Sequence, residues 1–399
     1  MKLSEFYWHR ITPLHFLLWP ISMLYSAIIY LKRLCYSLDL FPTTCLPVPV
    51  IVVDSITIED KSKTPFVVWL VDFLKARGLR PGIISCGFND HTGTPIAVTT
   101  SSEQDTVDAK SLWLAHRCTQ CPVWIGDDRI AVAEALLKAH PECNILINDD
   151  GLQFHQLGRD LEIVSIDYCE QNIGNGQIIP AGPLRESLNR LQDVDAVVIN
   201  GKMSHKFDTD EWASIYNMNL TKDIFCHSLD ARNCITPAEL SNKHIHAIAD
   251  LDNAQWFFDH LLSLGIAAEF HTFADNHKFE EKDFEFPDTD IILMSEEDAF
   301  KARSFTTKNL WVLPVEVQID GALRELIMKK IRAKFQKLKL IDILACPSCK
   351  GSLRYGKFND ELICQAEQLA YPIIEGIPMM QKNMARDLSN KKETLSRVA

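Results

Sequence analysis

The chain has 399 residues, 47% of them apolar and 24% charged. That is globular composition, long enough for two or three domains of roughly 100–200 residues each, and it excludes a disordered, collagenous or multi-span membrane protein. With 41 basic and 53 acidic side chains the formal charge is −12, which argues against a nucleic-acid-coating role, so no nucleic acid is expected as a partner.

The N-terminal segment runs against the acidic average. Between Arg10 and Lys32 lie 21 residues without a formal charge. As a helix they would span roughly 31 Å, close to the thickness of a bilayer's hydrocarbon core. Pro13, His15 and Pro20 interrupt the run, and Pro20 would kink a helix near its middle. Trp8, Trp19 and Tyr25 suit a headgroup boundary, and Lys32 and Arg33 would favour anionic lipid. A monotopic anchor fits better than a full span. No small-residue cleavage site follows, so a signal peptide is disfavoured. The twelve cysteines are scattered, and a reduced, cytosol-facing chain is expected.

From Val48 onward, short apolar β-branched runs alternate with helical periodicity. Strands are predicted at 48–53, 82–86, 123–125, 143–148, 161–166 and 194–200, with helices at 64–76, 106–116 and 128–139. A second alternating set begins near Lys243, with strands at 244–249, 269–273, 291–294 and 310–313 and helices at 254–264 and 320–337. The pattern defines an α/β fold with mostly parallel sheets. Expected divisions are 1–46 for the apolar helix, 47–240 and 241–338 for two α/β lobes, and 339–399 for a small module with a basic tail.

Strand, loop, then Lys-Thr opening a helix is the layout of a phosphate-binding loop. Here Lys63 could reach terminal phosphates and Thr64 could ligate Mg2+. The loop holds no glycine, and Glu59 and Asp60 would set carboxylates near a triphosphate. The run Asn144–Asp149 reads as a buried strand ending in the Asp149-Asp150 pair, which suits a Mg2+ anchor beside such a loop. The bland alternatives are a plain strand-to-helix turn and an Asp-Gly turn.

Gly174-Asn-Gly176, followed by Ile179-Pro-Ala-Gly-Pro-Leu-Arg-Glu186, is the most specific motif. With Asp149-Asp-Gly-Leu-Gln153, Pro47-Val-Pro49, Lys63-Thr-Pro65 and Glu296-x-Asp298-Ala299, the sequence from about residue 10 to about 335 resembles the tetraacyldisaccharide 4′-kinase family, the inner-membrane lipid A kinases. The resemblance implies a P-loop-type fold of two α/β lobes, and transfer of the γ-phosphate of ATP to the 4′-hydroxyl of a lipid A precursor with Mg2+. It also implies a place on the cytoplasmic face of the inner membrane. By the same resemblance Thr57, Lys63, Thr64, Asp149 and Asp150 would bind ATP and metal, and Arg185 would meet the substrate.

The departures are concentrated in the loop. Four glycine positions of the family pattern hold Asp54, Glu59, Asp60 and Ser62. The family's Ser-Arg-Gly-Tyr reads Ser85-Cys86-Gly87-Phe88, and its Gly-Asp-Glu-Pro aligns with Asp108-Ala109-Lys110-Ser111. A one-residue slip would instead bring Asp108 to the catalytic position. The family's Asp-His pair reads Asp275-Asn276, with His277 next. Asp108, Asp275 and His277 are therefore the candidate catalytic residues. Fewer cations and more acids imply a degenerate, weak or lost site. A working kinase with a rebuilt site is the alternative.

Near the C-terminus, Cys346-Pro-Ser-Cys349-Lys-Gly351 is a zinc-knuckle turn, and Cys364 follows. The stretch from about 338 to about 380 resembles the small zinc-ribbon-like family that activates methyltransferases. That implies Zn2+ on Cys346, Cys349 and Cys364 and a methyltransferase or other protein partner, while the position of a second Cys is Glu367. Metal-free folding on the module's apolar residues is equally open. The Cys118/Cys121 pair lacks partners and reads as coincidence, and His244 and His246 are expected at the surface.

Overall fold

The computed structural model describes residue 8 and residues 13–58, 60, 62–86, 94–102, 107–167, 173–201, 212–221, 223–241, 243–274, 277, 279–287, 289–303, 309–314, 316–356, 361–374 and 377–388. The strands are β1 (Val50–Ser55), β2 (Pro81–Ser85), β3 (Ile96–Val98), β4 (Val123–Ile125), β5 (Ile145–Asp149), β6 (Leu161–Asp167), β7 (Ala196–Asn200), β8 (Ile215–Thr221), β9 (Phe225–His227), β10 (Asp230–Ile235), β11 (Ile245–Asp250), β12 (Glu269–Phe273), β13 (Ile291–Ser295), β14 (Leu310–Leu313) and β15 (Glu316–Ile319). The helices are α1 (Pro13–Ser37), α2 (Lys63–Ala76), α3 (Ala109–Arg117), α4 (Arg129–Ala139), α5 (Leu251–Ser263), α6 (Glu296–Lys301) and α7 (Gly321–Ile343).

The first sheet has nine strands in the order β15-β8-β7-β6-β1-β5-β2-β4-β3. β1 is central and parallel to both β5 and β6. Its six residues are all buried, because helices cover both faces of a parallel sheet. On one face Phe66, Val67, Leu70, Val71 and Leu74 of α2 pack against Ile51, Val53 and Ile147. On the other, Val132, Ala133 and Leu136 of α4 meet Val50, Ile84 and Leu146. The second sheet runs β10-β9-β14-β13-β11-β12, with a parallel centre and an antiparallel β9–β10 edge.

Sheet membership does not follow the expected division at residue 241. β9 and β10 precede it and pair in the second sheet. β15 returns to pair antiparallel with β8. α7 follows it back: Leu323, Ile327 and Ile331 are buried in the first core, and Lys330 and Lys334 bond Asp195 and Asp160 at 2.5 and 3.0 Å. β8, β9, β10 and β15 were missed in the sequence because they are short or polar strands that lack a long apolar run.

The expectation of a wholly reduced chain is corrected at one place. Cys226 and Cys234, which face each other across β9 and β10, form a disulfide. α1 continues through Pro20 as a single helix. It is 25 residues long, an 18-residue stretch of it has mean hydropathy 1.6, and by length and composition it could cross a membrane. Its apolar side chains are largely bare, with Phe16 80% and Leu17 69% exposed. A third, small sheet contains Arg354–Gly356, Glu361–Cys364 and Leu369–Ile374 around a core of Leu353, Leu362 and Tyr371.

Candidate functional site

The site lies where β1 and β5 end side by side. Val53 pairs with Asp149, so the chain leaves β1 through Asp54 and Ser55 beside the Asp149-Asp150 turn. Asp150 has φ 57°, the left-handed region that Asp tolerates, and its N–H is taken by the Val53 carbonyl. A cavity of about 400 Å3 opens here, lined by Asp54, Asp60, Lys63, Cys86, Asp150, Phe154, Arg185 and Glu186 among others.

Three cations converge on the two aspartates. Lys63, the first residue of α2, donates to Asp150 Oδ1. Lys110, in the first turn of α3, sits 2.6 Å from Asp149 Oδ2 and 3.1 Å from Asp150 Oδ2. Arg185 Nη1 lies 3.5 Å from Asp150 Oδ1. Beneath them the buried Arg129 donates to the Asp149 carbonyl at 3.2 Å, its Nε and Nη1 without a hydrogen-bond partner, and its guanidinium lies 4.9 Å from the Phe154 ring centre. Burial would raise the Asp150 pKa, but Lys110 and Lys63 outweigh it and hold the carboxyl well below the usual range. Burial would lower that of Lys110, and Asp149 and Asp150 hold it above the ordinary lysine range.

The acids that replace loop glycines are spent internally. Asp54 Oδ1 accepts from Arg185 Nη2 at 2.9 Å and from the Ser55 N–H at 2.6 Å; its Oδ2 accepts from the Leu152 N–H at 2.8 Å. Burial raises the pKa of Asp54 against the pull of Lys63 and Arg185. Asp60 Oδ1 accepts from both the N–H and the hydroxyl of Ser62, at 2.8 and 2.6 Å. Facing a triphosphate unpaired, each acid would cost on the order of 1 kcal/mol or more; the Arg185 ion pair offsets that cost at Asp54, while Asp60 bonds the neutral Ser62 and keeps a buried Oδ2 without a hydrogen-bond partner. Glu59 lies outside the described residues.

The loop is clamped from above by the glycine- and proline-rich segment. Thr57 bridges to Leu184, the Arg185 N–H donates to the Ile56 carbonyl at 2.6 Å, and Arg185 Nε donates to the Thr57 carbonyl at 3.1 Å. Gly182 has a structural reason: a Cβ there would meet Asn175 Oδ1 and the Gln177 carbonyl at 2.3 Å. The same segment docks α1. His15 meets Asn175 Nδ2 at 2.8 Å, and the Ser22 hydroxyl accepts from the Ala181 N–H at 2.9 Å. His15 and Ser22 therefore face this segment, and the apolar face of the helix points out.

Of the candidate catalytic residues, Asp108 caps α3 by accepting from the Ser111 N–H at 3.0 Å, two positions before Lys110. Its Oδ1 is buried with no hydrogen-bond partner. His277 bonds Asp283 at 2.8 Å and stacks on Phe273, away from the loop in the second lobe. Asp275 lies outside the described residues. Thr64 is the second residue of α2 and half-buried.

The Asp149-Asp150 pair is the expected Mg2+ anchor. A divalent ion needs carboxylate oxygens at about 2.1 Å. Here the ammonium of Lys110 bridges both aspartates and that of Lys63 takes the remaining side of Asp150. Asp149 Oδ1 is buried without a hydrogen-bond partner, an open carboxylate oxygen of the kind a divalent ion takes. Sequence reasoning noted Lys110 only as an aligned position and missed Arg129. The available signal was a lone cation just after a capping aspartate.

Elsewhere, His246 is buried, not at the surface, because Phe286 stacks on it; its Nδ1 lies 2.9 Å from His271 Nε2. His244 is exposed. Cys118 and Cys121 are buried, and Cys121 Sγ donates to the Pro81 carbonyl at 3.1 Å. In the C-terminal module the sulfurs of Cys346, Cys349 and Cys364 lie within 4.8 Å of one another. Three converging thiols are a zinc-type donor set that leaves one tetrahedral position for another ligand.

A central parallel strand feeding a lysine-headed helix, with paired aspartates on the neighbouring strand, defines the phosphate-handling class of α/β proteins. Residues 14–332 match the family model described as tetraacyldisaccharide-1-P 4′-kinase, and residues 337–376 match Trm112p-like protein. The tetraacyldisaccharide 4′-kinase of Nitrosomonas eutropha is 45% identical over 98% of this chain and 100% of its own length. That of Methylobacillus flagellatus is 41% identical over 83% of this chain and 96% of its own. The crystal structure of LpxK from Aquifex aeolicus in complex with ATP has a TM-score of 0.68 at 25% identity, covering 80% of this chain and 99% of that one. The chain belongs to the tetraacyldisaccharide 4′-kinase family of lipid A biosynthesis. The degenerate or lost site expected from the loop finds no support here, since relatives 45% identical over nearly the whole chain carry the kinase name.

Proposed function

We propose that this protein is a working lipid kinase that moves the γ-phosphate of ATP onto the 4′-hydroxyl of tetraacyldisaccharide 1-phosphate. The observation that carries this reading is the cavity lined by Lys63, Asp150 and Arg185 where β1 ends, with Lys110 bonded to the same Asp150. Phosphoryl transfer asks a protein mainly for positioning and for positive charge around the phosphates. Lys63 and Lys110 supply that charge by moving from the aspartates toward the nucleotide. Thr57 and Thr64 border the phosphates, and Arg185 holds the loop against the 174–186 segment. The proton of the attacking hydroxyl goes to a carboxylate or imidazole among Asp108, Asp275 and His277. Asp108 is favoured by its unpartnered oxygen and by its closeness in sequence to Lys110.

α1 brings the site to its substrate. With its polar stripe on the Asn175–Ala181 loop and its apolar face bare, it lies in the surface of the inner membrane on the cytoplasmic side, so the lipid reaches the cavity without leaving the bilayer. Of the four-part division, the boundary at residue 46 is kept, while β9 and β10 belong with the second lobe and β15 and α7 with the first. The C-terminal module, matched to Trm112p-like protein, holds zinc on its three thiols and binds a protein partner of the methyltransferase class. The test is direct: purified protein with ATP and tetraacyldisaccharide 1-phosphate, and Lys63→Ala alongside. A 4′-phosphorylated product that disappears in the variant supports the kinase; its absence from the native protein overturns it.

A further inference from the structure

We propose that His246, Glu269 and His271 form a binding site for a zinc-class divalent metal ion on the second sheet, a clip that ties the edge strand β12 to β11. The site is separate from the kinase cavity and from the three-thiol module, and the inference does not depend on the kinase reading.

Strand register brings the three side chains together. β11 and β12 are parallel, and His246 pairs with Glu269. His271 follows two residues later on the same strand, so it projects from the same face as Glu269. His246 Nδ1 lies 2.9 Å from His271 Nε2 and 3.8 Å from Glu269 Oε2. One donor atom from each residue falls within 4.8 Å of the other two.

The rings are held in advance. Phe286 stacks on His246 at 4.3 Å with 8° between the planes, and its centre lies 4.4 Å from that of His271. Phe286 packs in turn on the core that contains Ile248, Phe284 and Met294. Imidazoles fixed in this way lose little freedom when an ion arrives. Between the two facing nitrogens one donates and the other accepts, so a lone pair already points into the gap. Two nitrogens bonded to zinc at about 2.0–2.1 Å with a tetrahedral angle stand roughly 3.3 Å apart. The rings therefore need to part by only a few tenths of an ångström. The Glu269 side chain is 76% exposed and free to swing toward them.

Two imidazoles and one carboxylate make a zinc-type donor set with one position left for water. They disfavour Mg2+ and Ca2+, which seek oxygen. β12 ends the sheet order and has a neighbour on one side only. An ion bonded to both strands adds a cross-strand link where the sheet is weakest.

The test is titration of the full chain, free of any histidine tag, with Co2+ as the probe, followed by calorimetry and visible absorption. Cobalt on thiolates gives an intense sulfur-to-metal charge-transfer band, whereas cobalt on imidazole and carboxylate gives only weak d–d bands, so the two sites are read separately. The native chain is expected to take up one ion that adds no charge-transfer intensity. His271→Ala and Glu269→Gln are each expected to bind that ion about tenfold or more weakly, the least that loss even of a supporting partner typically costs. The thiolate band is expected to be the same in all three proteins. Glu269→Gln alters an exposed side chain and keeps the native thermal midpoint in EDTA, so its loss of binding reads coordination and not folding. A native chain that takes up no such ion, or an ion that either variant binds with native affinity, overturns the proposal and leaves a hydrogen-bonded histidine pair.

Discussion

Arg185 Nη2 sits 2.9 Å from Asp54 Oδ1, so the acid at the first glycine position of the phosphate loop is joined to the arginine of the most specific family motif. Asp54 is almost fully buried and Arg185 about one-third exposed at its side chain. Removing one partner leaves a charge stranded in a dry place, which costs more than the pair itself contributes. Arg185→Ala is therefore expected to lower unfolding stability by about 2–4 kcal/mol, and Asp54→Ala by less, because an exposed arginine can reach water. A double-mutant cycle read by chemical denaturation should show coupling of about 1–3 kcal/mol. Additive effects would mean that the two residues act independently.

Lys63→Ala removes one of the two ammonium groups on Asp150. Loss of a preorganised cation at a phosphoryl-transfer site typically costs on the order of 10²–10³ in rate. The initial rate of 4′-phosphorylation should fall by that factor. A rate within about threefold of the native one would place the γ-phosphate elsewhere in the cavity.

His155 provides a pH signature. Burial, then Arg159 and Arg190, lower its pKa from 6.5 to about 4, and its ring leans on Tyr36 of α1 at 5.6 Å. The folded protein therefore binds fewer protons than the unfolded chain between those values. Its contribution to stability is complete above about pH 6.5 and is lost as the pH falls toward 4. The thermal midpoint should decline over that window, and His155→Phe, which keeps the ring contact, should flatten the decline. An unchanged slope in the variant would assign the acid sensitivity to other groups.

The bare face of α1 should govern membrane binding separately from folding. Leu17 and Leu24 are 69% and 64% exposed, and transferring a leucine side chain from water into an apolar phase is worth roughly 1.5–3 kcal/mol. Leu17→Asp with Leu24→Asp should reduce cosedimentation with anionic vesicles at least tenfold and leave the thermal midpoint in detergent nearly unchanged. Ser22→Val, which removes the hydroxyl that accepts from the Ala181 N–H, should lower the midpoint instead.

Three thiols within 4.8 Å should hold one zinc per chain, measured by elemental analysis. Cys346→Ser should abolish it, because Cys346 is one of the two buried members of the set. A metal-free native protein with an unchanged midpoint after chelation would assign the module to metal-free folding on Leu353, Leu362 and Tyr371.

The sequence by itself determined the order of the central elements, because apolar β-branched runs such as Val50–Val53 have one stable destination, a strand covered on both faces. Through the Gly174–Glu186 motif it also determined the family, and it brought Lys63, Asp149 and Asp150 forward as candidates. Only the tertiary structure decided how the charges are matched. Lys110 lies 39 positions from Asp149 in the chain and Arg185 lies 131 from Asp54, and no local pattern encodes that they meet. Asp54, which looked hostile to phosphate in a linear reading, is satisfied by Arg185 and the Leu152 N–H from segments far away in the chain. Coulomb energy depends on distance in space and on burial, and both are products of the fold.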